Sequence, residues 1–186
     1  QDWCVRNRVN VLGSLDEAHG GQFGFVPGYF VHTWQLFIPP EKHFADHPEY
    51  FAMIDGKRVA DKSQICPTRP DVAKIVTERV RQLLKEHPEA RVISVSQNDA
   101  NKNYCQCPVC AALDEKEGTH AAQVLYLANQ VAEAIEKDFP DRAVETLAYE
   151  WSRKPPKTMK PRPNLIIRLC TIRCSFSEPL AASDYP

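Results

Sequence analysis

Between residues 70 and 172 the chain switches repeatedly between two hydrophobic periods, and this alternation limits the folds open to it. From Pro70 to His87 the apolar residues Val72, Ile75, Val76, Val80, Leu83 and Leu84 recur at helical spacing, with Pro70 and Asp71 at the start and Pro88 just beyond the end. The run ARVISVS (90–96) then reads as a strand, whose end delivers QNDANKNYCQCPVC (97–110) as a loop. A second helical period begins near Thr119 and continues to about Asp138, placing Val124, Leu127, Ala128, Val131 and Ile135 on one face. AVETLAY (143–149) and, after a proline-rich stretch, LIIRLCTI (165–172) read as further strands, the last apolar enough to be buried on both faces. Strands joined through helices and long crossovers pair in parallel with right-handed connections, so 92–96, 143–148 and 165–170 are expected side by side and parallel. The fold class is α/β, either doubly wound or rolled into a barrel. No glycine-rich phosphate loop follows any strand, which removes the main support for a nucleotide-binding version.

Upstream, the aromatic and β-branched run YFVHTWQLFI (29–38) ends at a Pro-Pro pair and reads as a strand. PEYFAMIDGKRV (48–59) reads as a hairpin turning at Asp55-Gly56. With 186 residues, 43% of them hydrophobic, the chain is long enough for a single domain with a substantial core. Its 23 Lys and Arg against 24 Asp and Glu leave a net charge of -1, which offers no basic field for nucleic acid or an anionic membrane surface. No apolar run approaches the length of a membrane span, and the opening QDWCVRNRVNVLG lacks the layout of a signal peptide, so it reads as an internal start.

In parallel α/β folds of the barrel type, function gathers on the loops after the strands' C-terminal ends. Gln97, Asn98 and Asp99 follow one strand, and Tyr149, Glu150 and Trp151 follow the next. Polar, acidic and aromatic residues together suit a sugar site. The plainer alternative makes Asp99 a turn cap and Glu150 a solvated loop carboxylate. His32, Trp34, Tyr149 and Trp151 are further substrate contacts by residue type, although a histidine or aromatic near a strand is more often core. Arg6 and Asn7 form a weaker candidate pair.

Seven cysteines include a C-x-C-x-x-C cluster at Cys105, Cys107 and Cys110. Three soft ligands fall one short of a structural zinc site, and Cys66, Cys170, Cys174 or His120 offers a fourth. Disulfides to distant cysteines are the alternative. Inert thiols rank next and redox chemistry last, since CPVC fits a redox motif only locally.

The blocks HTWQLFIPPEKHFADHPEYFAMIDGKR, SVSQNDANKNYCQCPVC, TLAYEWSRKPP and NLIIRLCTIRCSFSEPL together resemble, in order, the bacterial domain of unknown function 4838. That family includes glycoside hydrolase family 163 enzymes, endo-acting β-N-acetylglucosaminidases on N-glycans. The resemblance implies a TIM-type (β/α) barrel in exported bacterial proteins, secreted, periplasmic or at the cell surface, with a glycan as substrate. Because such a barrel needs roughly 250 residues, the chain is expected to be part of a larger glycosidase-like barrel whose activity belongs to the full-length parent.

Glycoside cleavage needs a proton donor for the leaving oxygen and a second group at the anomeric carbon, which a 2-acetamido group of the substrate can replace. Asp99 is the expected acid or orienting carboxylate, Asn98 a contact to the acetamido or a hydroxyl, and Glu150 the rival acid. No cofactor is required for this chemistry. A non-catalytic glycan-binding barrel is the competing expectation.

Overall fold

The computed structural model describes residues 2–6, 24–61, 63–100, 103–173 and 177. A three-stranded parallel sheet forms the centre, in the order β3 (Val92–Ser94), β4 (Ala143–Ala148), β5 (Leu165–Leu169). This is the adjacency and direction that the strand and helix alternation predicts. A single parallel bridge from Phe25 to Val92 aligns a further extended segment beside β3. The sheet is open among the described residues.

Helix α4 (Pro70–Glu86) connects towards β3, and α6 (Ala121–Ile135) connects towards β4. The two pack on each other, and α6 packs on β4. Val72, Val76, Val80, Leu83 and Leu84 of α4 join Val124, Leu127, Ala128, Val131 and Ile135 of α6 in one buried cluster with Ile93, Val144 and Leu165. Side chains alternate across a strand, so the neighbouring positions Ser94, Glu145 and Arg168 occupy the opposite face of the sheet. A small antiparallel hairpin, β1 (Met53–Ile54) with β2 (Lys57–Arg58), turns at Asp55 and Gly56, whose φ values of 48° and 78° are both left-handed.

Three sequence expectations are corrected. Residues 29–38 are not a strand: after His32, at φ 54°, the chain turns into the short helix α2 (Trp34–Phe37). The Thr33 hydroxyl donates to the Ser94 carbonyl at 2.8 Å and accepts from the Ser96 amide, and the Thr33 and Trp34 amides both donate to the Ser96 carbonyl. These long-range bonds override the local β-propensity. The expected loop at 97–110 instead passes into helix α5 (Pro108–Glu117). Strand β5 is not buried on both faces, since Ile166 is 43%, Ile167 40% and Leu169 60% exposed.

The proline-rich crossover 153–164 has little regular structure of its own and is held by side chains. The Glu117 carboxylate accepts from the Thr158 amide (2.8 Å), the Thr158 hydroxyl (2.6 Å) and the Met159 amide (3.0 Å). Asn129 holds the Lys160 carbonyl and the Arg162 amide. Gly118, at φ 70°, ends α5 so close to Lys157 that an added Cβ would lie 2.7 Å from its Cε. Gly118→Ala is therefore strained in its backbone, while the flexible end of the Lys157 side chain can move aside.

The Thr158 hydroxyl, the Thr158 amide and the Met159 amide hold the Glu117 carboxyl down at about 2. A carboxylate depressed in the fold stabilises it above the unfolded pKa, and that contribution fades as pH falls towards the folded value. Glu117→Gln should therefore lower the melting temperature at neutral pH. Thermal unfolding followed from neutral pH into acid should show the gap to wild type closing between about pH 4 and about pH 2.

Candidate functional site

The end of β3 and the end of β4 lie next to each other because the strands pair in parallel register, Ser94 opposite Glu145. Gln97, wholly buried, ties the two ends together: its Nε2 donates to the Tyr149 carbonyl at 2.9 Å and its Oε1 accepts from the Ser152 hydroxyl at 2.5 Å. Both ends of its amide are thus taken by protein groups. Asn98 is held at both ends of its amide, with Oδ1 accepting from the Gln35 amide and Nδ2 donating to the Ser63 carbonyl, and its backbone amide and carbonyl are both bonded to the Gln64 side chain.

Asp99 differs from both. Its side chain is 65% exposed, and it lines a cleft of about 640 Å³ together with Gln35, Glu41, Phe44, Asp61 and Asn98. Asp99 Oδ1 accepts from the Tyr149 hydroxyl at 3.0 Å and lies 3.9 Å from His32 Nε2. The His32 and Tyr149 rings meet edge to face at 5.6 Å. Because His32 Nδ1 lies 2.9 Å from the Gln97 carbonyl, which only accepts, Nδ1 carries the proton and Nε2 faces the carboxylate. Burial foremost, and then the hydrogen bond to Asp99, push the Tyr149 hydroxyl up, so it remains a proton donor at neutral pH.

Glu150 is placed otherwise. It sits at φ 51° and its carboxylate, 12% exposed, takes a forked pair of bonds from Arg173. Trp151 is half-buried and donates from Nε1 to the Ala100 carbonyl at 3.2 Å, close to the Tyr104 ring. Trp34 does not line the cleft: it is 0% exposed in the core, drawn inward by the Thr33 anchor. Arg6 ends the short helix α1 (Asp2–Arg6), while Asn7 and Cys174 lie outside the described residues.

Beneath the strand ends lies a buried ionic group that strand reading passed over. Arg168 Nε donates to Glu145 Oε1 at 2.5 Å, Ser94 donates to Glu145 Oε2 at 2.6 Å, and Arg168 Nη2 reaches the Phe30 carbonyl at 2.6 Å. The guanidinium lies 4.1 Å from the Phe30 ring centroid. Burial raises the Glu145 carboxyl in spite of the Ser94 and Arg168 bonds. A lone Glu in AVETLAY and a lone Arg in LIIRLC are the sequence signal, since charges inside apolar strands must find partners. Glu41, in the short helix α3 (Pro40–His43), and Asp61, three residues after β2, also line the cleft and were missed because neither follows a strand of the parallel sheet.

The cysteines form a second centre. Cys66, Cys105, Cys107 and Cys110 are all buried and unbridged, and their sulfur atoms all lie within 4.8 Å of one another. Such a group could bind a metal ion. Disulfide pairing is not present among the five described free cysteines, and Cys170 and His120 stand outside the group. Hydrogen bonds from Cys105 and Cys110 hold the Cys66 thiol far below the usual thiol range, whereas Cys110 is pushed up by its bonds to Cys105 and Cys66 and by burial.

The sequence matches the family described as Domain of unknown function (DUF4838) over residues 1–185. The chain belongs to this family. No curated protein and no solved structure matches it. Residues of all the centres just described fall within the stretch matched to DUF4838.

Removing one member of a buried ion pair leaves the other uncompensated, at a cost of about 3 kcal/mol or more. Arg168→Met should destabilise the chain by about that amount in chemical denaturation at pH 7. The loss should shrink as pH drops into the range where Glu145, already raised by burial, takes up a proton.

Proposed function

We propose that this chain carries the substrate site of a glycoside hydrolase-like domain acting on glycans, with Asp99 as the carboxylate that meets the sugar. The supporting observation is the Tyr149 hydroxyl donating to an exposed Asp99 carboxylate at 3.0 Å, with His32 on the same oxygen, at the ends of adjacent parallel strands. In the TIM-type barrel that the family resemblance implies, this is the functional face. The cleft beside Asp99 falls within the volume range of ligand pockets.

The chemistry in this proposal is the cleavage of a β-linked N-acetylglucosamine unit within an N-glycan. The Asp99 carboxylate accepts a hydrogen bond from the 2-acetamido N–H and orients the amide oxygen towards the anomeric carbon, while a second carboxyl group lining the cleft, Glu41 or Asp61, gives the leaving oxygen its proton. Tyr149 fixes the carboxylate's rotamer and donates to it. Trp151 and His32 supply flat surfaces for sugar rings. Glu150 has both carboxylate oxygens taken up by Arg173 and does not line the cleft beside Asp99. The four-cysteine group belongs to the scaffold, as a structural zinc site rather than a redox centre. An exported bacterial protein is the setting implied by the family resemblance.

A second reading, glycan binding without cleavage, draws on the same ion pair. With Glu150 locked to Arg173 and Asn98 occupied at both ends of its amide, Asp99 is the open carboxylate at these two strand ends.

Turnover of a chitobiose-containing N-glycan, by this chain or by a longer polypeptide containing it, separates the two. Asp99→Asn should lower kcat/KM by about 100-fold or more. Its unfolding free energy should stay within about 0.5 kcal/mol of wild type, since Asp99 is an exposed loop residue. Full turnover in Asp99→Asn, with the glycan still cleaved by wild type, would place the chemistry elsewhere. Unchanged glycan affinity with no turnover in either protein would support binding alone.

A further inference from the structure

The four buried cysteines are built as a closed site rather than gathered by apolar packing. Cys66 Sγ lies 3.6 Å from Cys107 Sγ and 3.9 Å from Cys110 Sγ. Four sulfurs arranged tetrahedrally at a zinc-to-sulfur distance of about 2.3 Å stand about 3.8 Å apart. A disulfide needs about 2.05 Å, and a multi-iron cluster needs its ligands farther apart than one ion does. The spacing suits a single ion.

Polar donors also converge on the sulfurs. The Met53 amide lies 3.4 Å from Cys105 Sγ, the Arg58 guanidinium 3.8 Å from the same atom, and the Thr68 hydroxyl 3.1 Å from Cys110 Sγ. A pocket of neutral thiols has no need of a guanidinium. Four thiolates around a divalent ion carry a net charge of about -2, and donors of this kind offset it. Cys107 caps helix α5, with Pro108 at its first position, so Cys107 and Cys110 sit at the positive end of a helix of 10 residues.

We propose that Cys66, Cys105, Cys107 and Cys110 are the four ligands of one tetrahedral thiophilic cation, zinc, held by an outer shell of Arg58, Thr68 and the Met53 amide, and that this ion fixes the segment carrying Asp99. The last clause rests on the site proposed above. The link is physical. Cys66 lies two residues after Gln64, whose side chain clamps both the amide and the carbonyl of Asn98. Cys105 is clamped in turn by Gln123, which donates to its carbonyl at 2.9 Å and accepts from its amide at 3.2 Å. One ion joining Cys66 to the 105–110 segment therefore closes a loop of contacts around the Asn98–Asp99 turn.

The test is elemental analysis of the chain purified under reducing conditions, with cobalt substitution and amide exchange. About one zinc per chain is expected, retained in Cys170→Ser and reduced to background in Cys66→Ser and in Cys107→Ser. Cobalt(II) should give intense thiolate charge-transfer bands and the visible bands of a tetrahedral ion. Because the cysteine variants can fail to fold for other reasons, Thr68→Val supplies a milder probe. It should keep the fold and weaken the competition-measured zinc affinity about tenfold.

Stripping the metal with a chelator should speed amide exchange in residues 97–100, 103–107 and 63–66, while the β4–α6 packing stays protected. No bound metal together with an octahedral or absent cobalt spectrum overturns the site, as does a native disulfide from Cys66. One equivalent of iron in place of zinc overturns the choice of ion. A loaded tetrathiolate site whose removal leaves 97–100 and 103–107 unchanged overturns the coupling. These readouts involve no glycan, so an inactive wild-type enzyme with a full zinc site would count against the glycosidase proposal alone.

Discussion

The parallel pairing of β3 with β4 is the constraint that the rest of the structure obeys. Neighbouring strands stand about 5 Å apart, so whatever follows each strand is delivered to one place. The apolar stripes of α4 and α6 make this pairing favourable by covering one face of the sheet. With one face closed by helices, the other is left to Ser94, Glu145 and Arg168. Asp99 and Tyr149 meet for the same reason: they sit at corresponding depths beyond two strands whose register is fixed several residues earlier.

Above the sheet, order comes from three buried glutamines rather than from hydrophobic packing. Gln64, Gln97 and Gln123 are each at most 1% exposed. Each uses both ends of its amide on another segment: Gln64 on Asn98, Gln97 on the turn at Tyr149 and Ser152, Gln123 on Cys105. A glutamine amide matches a peptide group in having one donor end and one acceptor end. It can therefore satisfy irregular backbone where no strand is available to do so, and such loops keep a defined shape.

The alternation of periods made α4, α6 and the three parallel strands legible, because burial of one helical stripe or of a strand run leaves a repeating trace in sequence. The Asp55-Gly56 turn and the sulfur cluster were legible from residue type. What sequence could not show is decided at long range. The run YFVHTWQLFI has strand propensity throughout, yet Thr33 finds its partners 61 and 63 residues away and the chain turns into a helix. Helix α5 escaped notice because its residues do not form an apolar stripe, and only Cys110 and Glu117 of it are buried. Cys66 was one of four candidate ligands by composition, and only the folding of the hairpin region onto the 105–110 segment singles it out. The exposure of Ile166, Ile167 and Leu169 likewise depends on which neighbours β5 has, a matter on which its own residues are silent.

The sulfurs are shielded as well as clustered. Cys66, Cys105, Cys107 and Cys110 are between 0% and 5% exposed, so an alkylating reagent or an oxidant reaches them only when the surrounding clamp opens. Their rate of modification is then set by the opening equilibrium rather than by intrinsic nucleophilicity. Opening that clamp means releasing Gln64 or Gln123, and release of Gln64 also frees the backbone amide and carbonyl of Asn98. Thiol labelling thus acts as a slow clock for the breathing of the turn that carries Asp99, readable without any substrate.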